Sequence, residues 1–170
     1  MIYKYQLIIY SHYFFKHLLP SINMKLRKGV FIVVYRKEKD KFSYLILKRK
    51  LHWKGWEFPK GGIEKGETIN QGIFRELKEE TGQKPIKITN HKIKGKYSYK
   101  QSLPNRIEKG QTFSLYSVEL KNKKIEIDKH EHSDYQWLLF NKAIKKLTWP
   151  NQRKCLKIVD KKISKPSQQF

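Results

Sequence analysis

Glu76, Glu79 and Glu80 are the residues of this sequence best placed to do chemistry. In a helix that turns about 100° per residue they fall within one arc of roughly 100°. Carboxylates at that spacing repel one another and weaken an isolated helix by roughly 0.2–0.5 kcal/mol per pair. The chain has only 15 acidic residues against 38 basic ones, yet five of the acids lie between Gly61 and Gln83. A basic protein that crowds its carboxylates onto one helix needs them together, and a hard divalent cation supplies the reason. Mg²⁺ takes oxygen ligands, usually one or two carboxylates with water and substrate phosphate, and Mn²⁺ is able to substitute. The competing reading is a solvated acidic face paired with Lys65 and Lys78. The stretch Gly61-Gly62-Ile63-Glu64-Lys65-Gly66-Glu67 before the helix favours the cation, because its glycines leave backbone carbonyls accessible.

The elements that must position these groups follow from hydrophobic patterning. Val30 to Tyr35 and Tyr44 to Leu47 read as buried strands, separated by the charged turn Lys37 to Lys41. Gly55 to Gly66 reads as a glycine-rich loop. The helix runs from Ile69 to Thr81, with Thr68 and Gln71 as a capping box, Gly82 as the stop, and Ile73, Phe74 and Leu77 facing a sheet. Further strands are expected at Lys87 to Tyr99, Thr112 to Leu120 and Tyr135 to Phe140. Asn141 to Leu147 and Pro150 to Ile163 read as helices, the second with Cys155, Leu156, Val159 and Ile163 on one side. No internal repeat is visible. Irregular alternation of strands and helices predicts an α/β fold, a mixed β-sheet sandwiched between α-helices.

The acidic helix and its loop together resemble a known family. Gly61, Glu67, Arg75, Glu76, Leu77, Glu79, Glu80 and Gly82 stand at the spacing of the Nudix box, the signature of the Nudix hydrolases. The one departure is Gln83, where the pattern has an aliphatic residue, and it bears on local packing. Trp56-Glu57-Phe58-Pro59-Lys60-Gly61-Gly62 is also similar to the loop of that family, and the resemblance covers about Lys25 to Val159. It implies the Nudix fold and Mg²⁺-dependent hydrolysis of a phosphoanhydride in a nucleoside polyphosphate. It further implies Glu76, Glu79, Glu80 and the Gly61 carbonyl as metal ligands, with Glu79 or Glu80 able to assist as base. Glu67 would pair with Arg75 to hold the loop on the helix, or reach the metal through water. Lys60 would touch a phosphate, and Trp56 would pack beneath the loop.

Two features outside the box bear on the substrate. Tyr99 lies sixteen residues beyond Gln83, with Tyr97 two before it. A tyrosine near this offset resembles the mark of Nudix dinucleoside polyphosphate hydrolases, where the ring stacks on a base for roughly 1–3 kcal/mol; the plainer reading is ordinary strand residues with one face buried. His130-Glu131-His132-Ser133-Asp134-Tyr135-Gln136-Trp137 is similar to a segment of asymmetrical diadenosine tetraphosphate hydrolases, and the resemblance implies Glu131 as a candidate supplementary ligand or base. Two histidines and one glutamate fall short of a zinc site, and the plainer reading is a polar loop leading into a strand with Trp137 in the core. Cleavage of diadenosine tetraphosphate or a related dinucleotide is the first expectation. Pyrophosphate removal from triphosphorylated RNA ends is the second, suited by a tail carrying Lys157, Lys161, Lys162 and Lys165. A non-catalytic nucleotide- or RNA-binding module is the third, against which the intact glutamate set argues.

Composition sets the frame. A chain of 170 residues with 38% hydrophobic content suits one core. Cys155 alone makes neither an internal disulfide nor a zinc cluster, so a reducing, cytoplasmic setting is expected. The net charge of +23 comes mostly from Lys, with six Arg. It fits either A/T-rich codon bias or a polyanionic partner, and it does not choose among phosphate-rich ligands. Residues 1–23 read as a dispensable leader, with a weak amphipathic anchor as the rival. Their apolar clusters at Leu7 to Tyr10 and Tyr13 to Phe15 are interrupted by His12, Lys16 and His17, leaving no run long enough to span a membrane. The domain is assigned to 24–163 and a polar tail to 164–170; the sequence does not set an oligomeric state.

Overall fold

Strand β2, Gly29–Glu38, has every residue from Gly29 to Tyr35 buried, so both of its faces must be covered. The computed structural model, which describes residues 25–99 and 107–164, shows how. The leader and residues 165–170 lie outside the described residues. Phe31, Val33 and Tyr35 point to one side of the sheet and join a cluster with Tyr44, Ile46, Phe58, Phe113 and Leu115. Val30, Ile32 and Val34 point to the other and meet Leu45, Leu47, Tyr116 and Val118. This period-two division of a continuous apolar run is what a central strand requires.

The other strands are β1 (Leu26–Arg27), β3 (Lys41–Arg49), β4 (Gly55–Glu57), β5 (Lys60–Gly62), β6 (Lys87–Ser98), β7 (Gly110–Glu119) and β8 (His132–Leu139). They form one mixed sheet. β7 runs parallel to β1 and β2, whereas β2–β3, β2–β5, β3–β4, β3–β8 and β6–β7 are antiparallel. Helix α1, Ile69–Thr81, covers one face through Ile73 and Leu77. Helices α2, Phe140–Lys146, and α3, Pro150–Ile163, cover the other through Ala143, Cys155, Leu156 and Val159. The chain is therefore an α/β sandwich with the mixed sheet as its middle layer.

Three local expectations are corrected. The glycine-rich loop is not wholly irregular, for β4 pairs with β3 while β5 pairs with β2, which pins the loop to two central strands. Phe140 begins α2 instead of ending β8. Phe74 is 45% exposed, although the helix pattern placed it against the sheet. The helical wheel explains this: relative to Ile73, Leu77 lies at about +40°, Glu80 at about −20° and Glu76 at about −60°, whereas Phe74 lies near +100°. The buried arc of α1 holds Glu76 and Glu80 beside Ile73 and Leu77, with Gly72 and Thr81 at its margins, and Phe74 stands outside it.

Both caps of α1 form as expected. Gln71 N–H donates to the Thr68 hydroxyl and Thr68 N–H to the Gln71 side chain. Gly82 adopts the left-handed conformation at φ 69° and donates its N–H to the Lys78 carbonyl at 3.0 Å. A Cβ at Gly82 would also crowd Glu126 at 3.0 Å. Gly82→Ala is expected to lower stability by about 1–2 kcal/mol in urea unfolding. Gln83, the departure from the family pattern, donates its amide to the carbonyls of Lys123 and Lys124 at 3.2 and 3.3 Å, so hydrogen bonds replace apolar packing there.

Candidate active site

Pinning β5 against β2 brings Gly61 under the buried arc of α1. A Cβ at Gly61 would overlap the Glu76 carboxylate, so that carboxylate rests directly on the glycine backbone. Glu76 and Glu80 are buried and Glu79 is exposed at the edge. The solvated-face alternative therefore fails for two of the three glutamates. Burial raises the Glu76 carboxyl above its ordinary range despite the neighbouring Arg75. Burial, with Glu76 nearby, raises Glu80 well above its ordinary value, and Lys60 only partly offsets this. One oxygen of Glu80 is buried with no hydrogen-bond partner. A buried carboxylate oxygen left in that state is costly unless something positive or polar meets it.

Arg75 joins loop to helix. Its guanidinium donates to both oxygens of Glu67 at 2.8 and 2.9 Å, to Glu76 at 2.8 Å and to the Gly62 carbonyl at 2.8 Å. The hydrogen bonds from Arg75 pull the Glu67 carboxyl down to about 2. A depressed carboxylate contributes stability that is present above its ordinary value of 4.5 and is lost as pH falls towards 2. Glu67→Gln should therefore melt with a flatter pH dependence than the parent between those limits, as read by circular dichroism.

A second charged cluster lies beside the first. Glu57 is fully buried, with Lys60 Nζ at 2.7 Å, Arg49 Nη1 at 3.6 Å and His132 Nε2 at 3.7 Å. Burial alone would lift the Glu57 carboxyl, but Lys60, His132 and Arg49 together hold it below its ordinary value. Lys60, partly desolvated, is kept above its ordinary value by Glu57. Arg49 also hydrogen-bonds Glu131. One ligand atom from each of Glu80, Glu131 and His132 lies within 4.8 Å of the others.

The sequence-derived candidates thus occupy neighbouring positions around the loop and α1. Arg75 links Glu67 to Glu76, Glu76 rests against Gly61, and a carboxylate oxygen of Glu80 lies within 4.8 Å of one of Glu131. Lys60 is paired with Glu57. His130 is exposed, whereas His132 is buried. Trp56 is partly buried against the core, and the Lys146 ammonium sits 4.3 Å from its ring centre. Tyr97 packs on Phe31, and the Tyr99 ring stands 5.9 Å from that of Tyr97. Residues not foreseen are Arg49, Glu57 and Gln111. The Gln111 amide donates to the Gly61 carbonyl at 3.1 Å and accepts from the Tyr99 hydroxyl at 3.2 Å.

The NUDIX domain family matches residues 25–157, most of the chain. The chain belongs to the Nudix family. An RNA pyrophosphohydrolase of Pelagibacter ubique is 32% identical over 131 residues, 69% of this chain and 79% of the relative. One from Pseudoalteromonas atlantica is 32% identical over 50% of this chain and 56% of its own length. Among solved structures, a Caenorhabditis elegans Ap4A hydrolase in a binary complex superposes with TM-score 0.68 at 24% identity, covering 82% of this chain and 98% of that one. A Nudix hydrolase from Listeria monocytogenes gives 0.68 at 20% identity, over 79% and 92% of the two chains. As a Nudix pyrophosphohydrolase, the protein hydrolyses an acid anhydride in nucleoside polyphosphates.

Nudix enzymes generally work with a divalent metal, and the residues present fit one. The donors are hard oxygens, Glu80 offers an unpartnered buried carboxylate oxygen, and Glu76 lies on the Gly61 backbone. Among the described residues no helix is long and apolar enough to cross a membrane.

Proposed function

We propose that this Nudix enzyme cleaves a dinucleoside polyphosphate such as diadenosine tetraphosphate asymmetrically, with Mg²⁺ as its working ion and Mn²⁺ as a substitute. The supporting observation is that the His130-Glu131-His132 segment comes up against Glu80, adding a further carboxylate beside the acidic helix. Glu76, Glu79, Glu80 and the Gly61 carbonyl would hold the cation. Once bound, it neutralises charge on the phosphate oxygens and strengthens water as a nucleophile. Glu131 or one of Glu79 and Glu80 takes the proton from the attacking water. The water oxygen bonds to phosphorus as the bridging P–O bond breaks, and a triphosphate and a monophosphate leave. Lys60, kept protonated by Glu57, faces the departing phosphate, and the Tyr99 ring offers a stacking surface for a base. The single, buried Cys155 is consistent with a cytoplasmic setting.

A second reading is removal of pyrophosphate from triphosphorylated RNA ends. It is favoured by the 32% identity to the Pelagibacter RNA pyrophosphohydrolase and by the net charge of +23. Kinetics in Mg²⁺ on diadenosine tetraphosphate beside 5′-triphosphate RNA separate the two. A higher kcat/KM on the dinucleotide is expected. A preference for RNA by tenfold or more would overturn the first reading in favour of the second.

A further inference from the structure

Gln111 lies on β7, fifty residues from Gly61, and is 4% exposed. A buried primary amide must place four hydrogen-bonding positions, and here its orientation is dictated by its neighbours. The Gly61 carbonyl only accepts, so the amide nitrogen must face it. The amide oxygen then faces the Tyr99 hydroxyl, which must donate. The space for this arrangement is built into the backbone. A Cβ at Gly29 would overlap the Gln111 amide and crowd the Gly61 carbonyl at 2.6 Å, so only glycine at position 29 lets the side chain cross from β7 to β5. Gln111 is in register with Arg27 of β1 on one side and Tyr97 of β6 on the other, and its side chain bridges the Gly61 carbonyl and the Tyr99 hydroxyl.

We propose that Gln111 is a positioning residue of the metal centre: its amide fixes the direction of the Gly61 carbonyl and ties that carbonyl to Tyr99. This rests on the reading of Gly61 with Glu76, Glu79 and Glu80 as the cation seat. Groups that hydrogen-bond a metal ligand set its orientation, and their loss typically weakens the site by 10–100-fold. Tyr99 then has two separable parts. Its ring serves the substrate and its hydroxyl serves the loop, so a base resting on the ring and a cation resting on Gly61 share one rigid chain of three residues.

The test is Mn²⁺ binding to the purified full chain, read by electron paramagnetic resonance of free ion, with thermal melting in parallel. Gln111→Leu is expected to bind Mn²⁺ about tenfold more weakly than the parent, at the low end of the range for such partners. Tyr99→Phe keeps the ring and the amide, removes only the outer hydrogen bond, and is expected to weaken binding about threefold with an unchanged melting temperature. This second variant decides the matter should Gln111→Leu not fold. Unchanged or tighter Mn²⁺ binding in a folded variant overturns the positioning role, as does a lowered melting temperature with parental affinity. Parental Mn²⁺ binding that survives Glu79→Gln and Glu80→Gln overturns the cation seat itself, and with it this inference.

Discussion

Glu80→Gln is expected to cut turnover by about a hundredfold to a thousandfold while leaving the fold intact. Glu80 lies near the middle of the buried arc of α1, with one carboxylate oxygen that accepts no hydrogen bond from the described residues. Its carboxyl is pushed well above the ordinary range by burial, then by Glu76, and further by Glu57 and Glu131. A group whose folded value is raised contributes stability below its unfolded value, and loses it as pH rises through the folded value. In the metal-free protein a charged Glu80 is therefore a source of strain at neutral and alkaline pH. Gln has the same shape and no charge. The metal-free variant should melt higher than the parent at pH 8, by about 2–4 °C for each kcal/mol relieved in a chain of this length. The gap should close below pH 4.5, the ordinary carboxylate value, where the parent carries the proton anyway. Opposite signs for activity and stability are what a site held for function produces. A variant that lost both, or neither, would remove Glu80 from the active site.

That opposition also explains which parts of the molecule were legible in the sequence. The sheet and its helices follow from period-two and period-3.6 patterning, and the caps of α1 from Thr68, Gln71 and Gly82, because local physics decides them. The Nudix box was legible because its chemistry is carried by one loop and one helix that are contiguous in sequence. The apolar arc was drawn wrongly at Phe74 because a wheel that sorts residues by polarity keeps acids and hydrophobes apart, whereas Glu76 and Glu80 share the buried side with Ile73 and Leu77. The rule that charge stays outside fails where the charges are meant to meet a ligand.

Arg49, Glu57 and Gln111 escaped for a different reason. Arg49 ends β3, Glu57 ends β4, and Gln111 lies near the start of β7; Arg49 reaches Glu57 through the pairing of β3 with β4, and Gln111 reaches Gly61 through the pairing of β2 with β5 and β7. No local period encodes such pairings. Glu57 did carry a weak signal, as an acid set between the aromatic residues Trp56 and Phe58. Only tertiary structure shows it as the buried anion on which the Lys60 ammonium, the Arg49 guanidinium and the His132 ring converge.

Glu57→Leu is expected to have the largest effect on stability. The carboxylate is fully buried and faces Lys60 at 2.7 Å and Arg49 at 3.6 Å. Deleting one partner of a buried ion pair leaves the other charge uncompensated and typically costs about 3–5 kcal/mol. That corresponds to a fall in melting temperature of roughly 6–20 °C. Arg49 keeps Glu131 as a partner, so most of the loss falls on Lys60. Glu57→Leu combined with Lys60→Met should therefore recover much of the lost stability, because a buried pair replaced by apolar groups of similar volume is often neutral. If Lys60 contacts a substrate phosphate as proposed, the double variant should still turn over poorly, because that ammonium is gone. Urea unfolding and steady-state kinetics on the same preparations distinguish the two contributions. A single variant within about 1 kcal/mol of the parent would mean that water or rearrangement neutralises Lys60. Glu57 would then be no more than a packing residue beneath the loop.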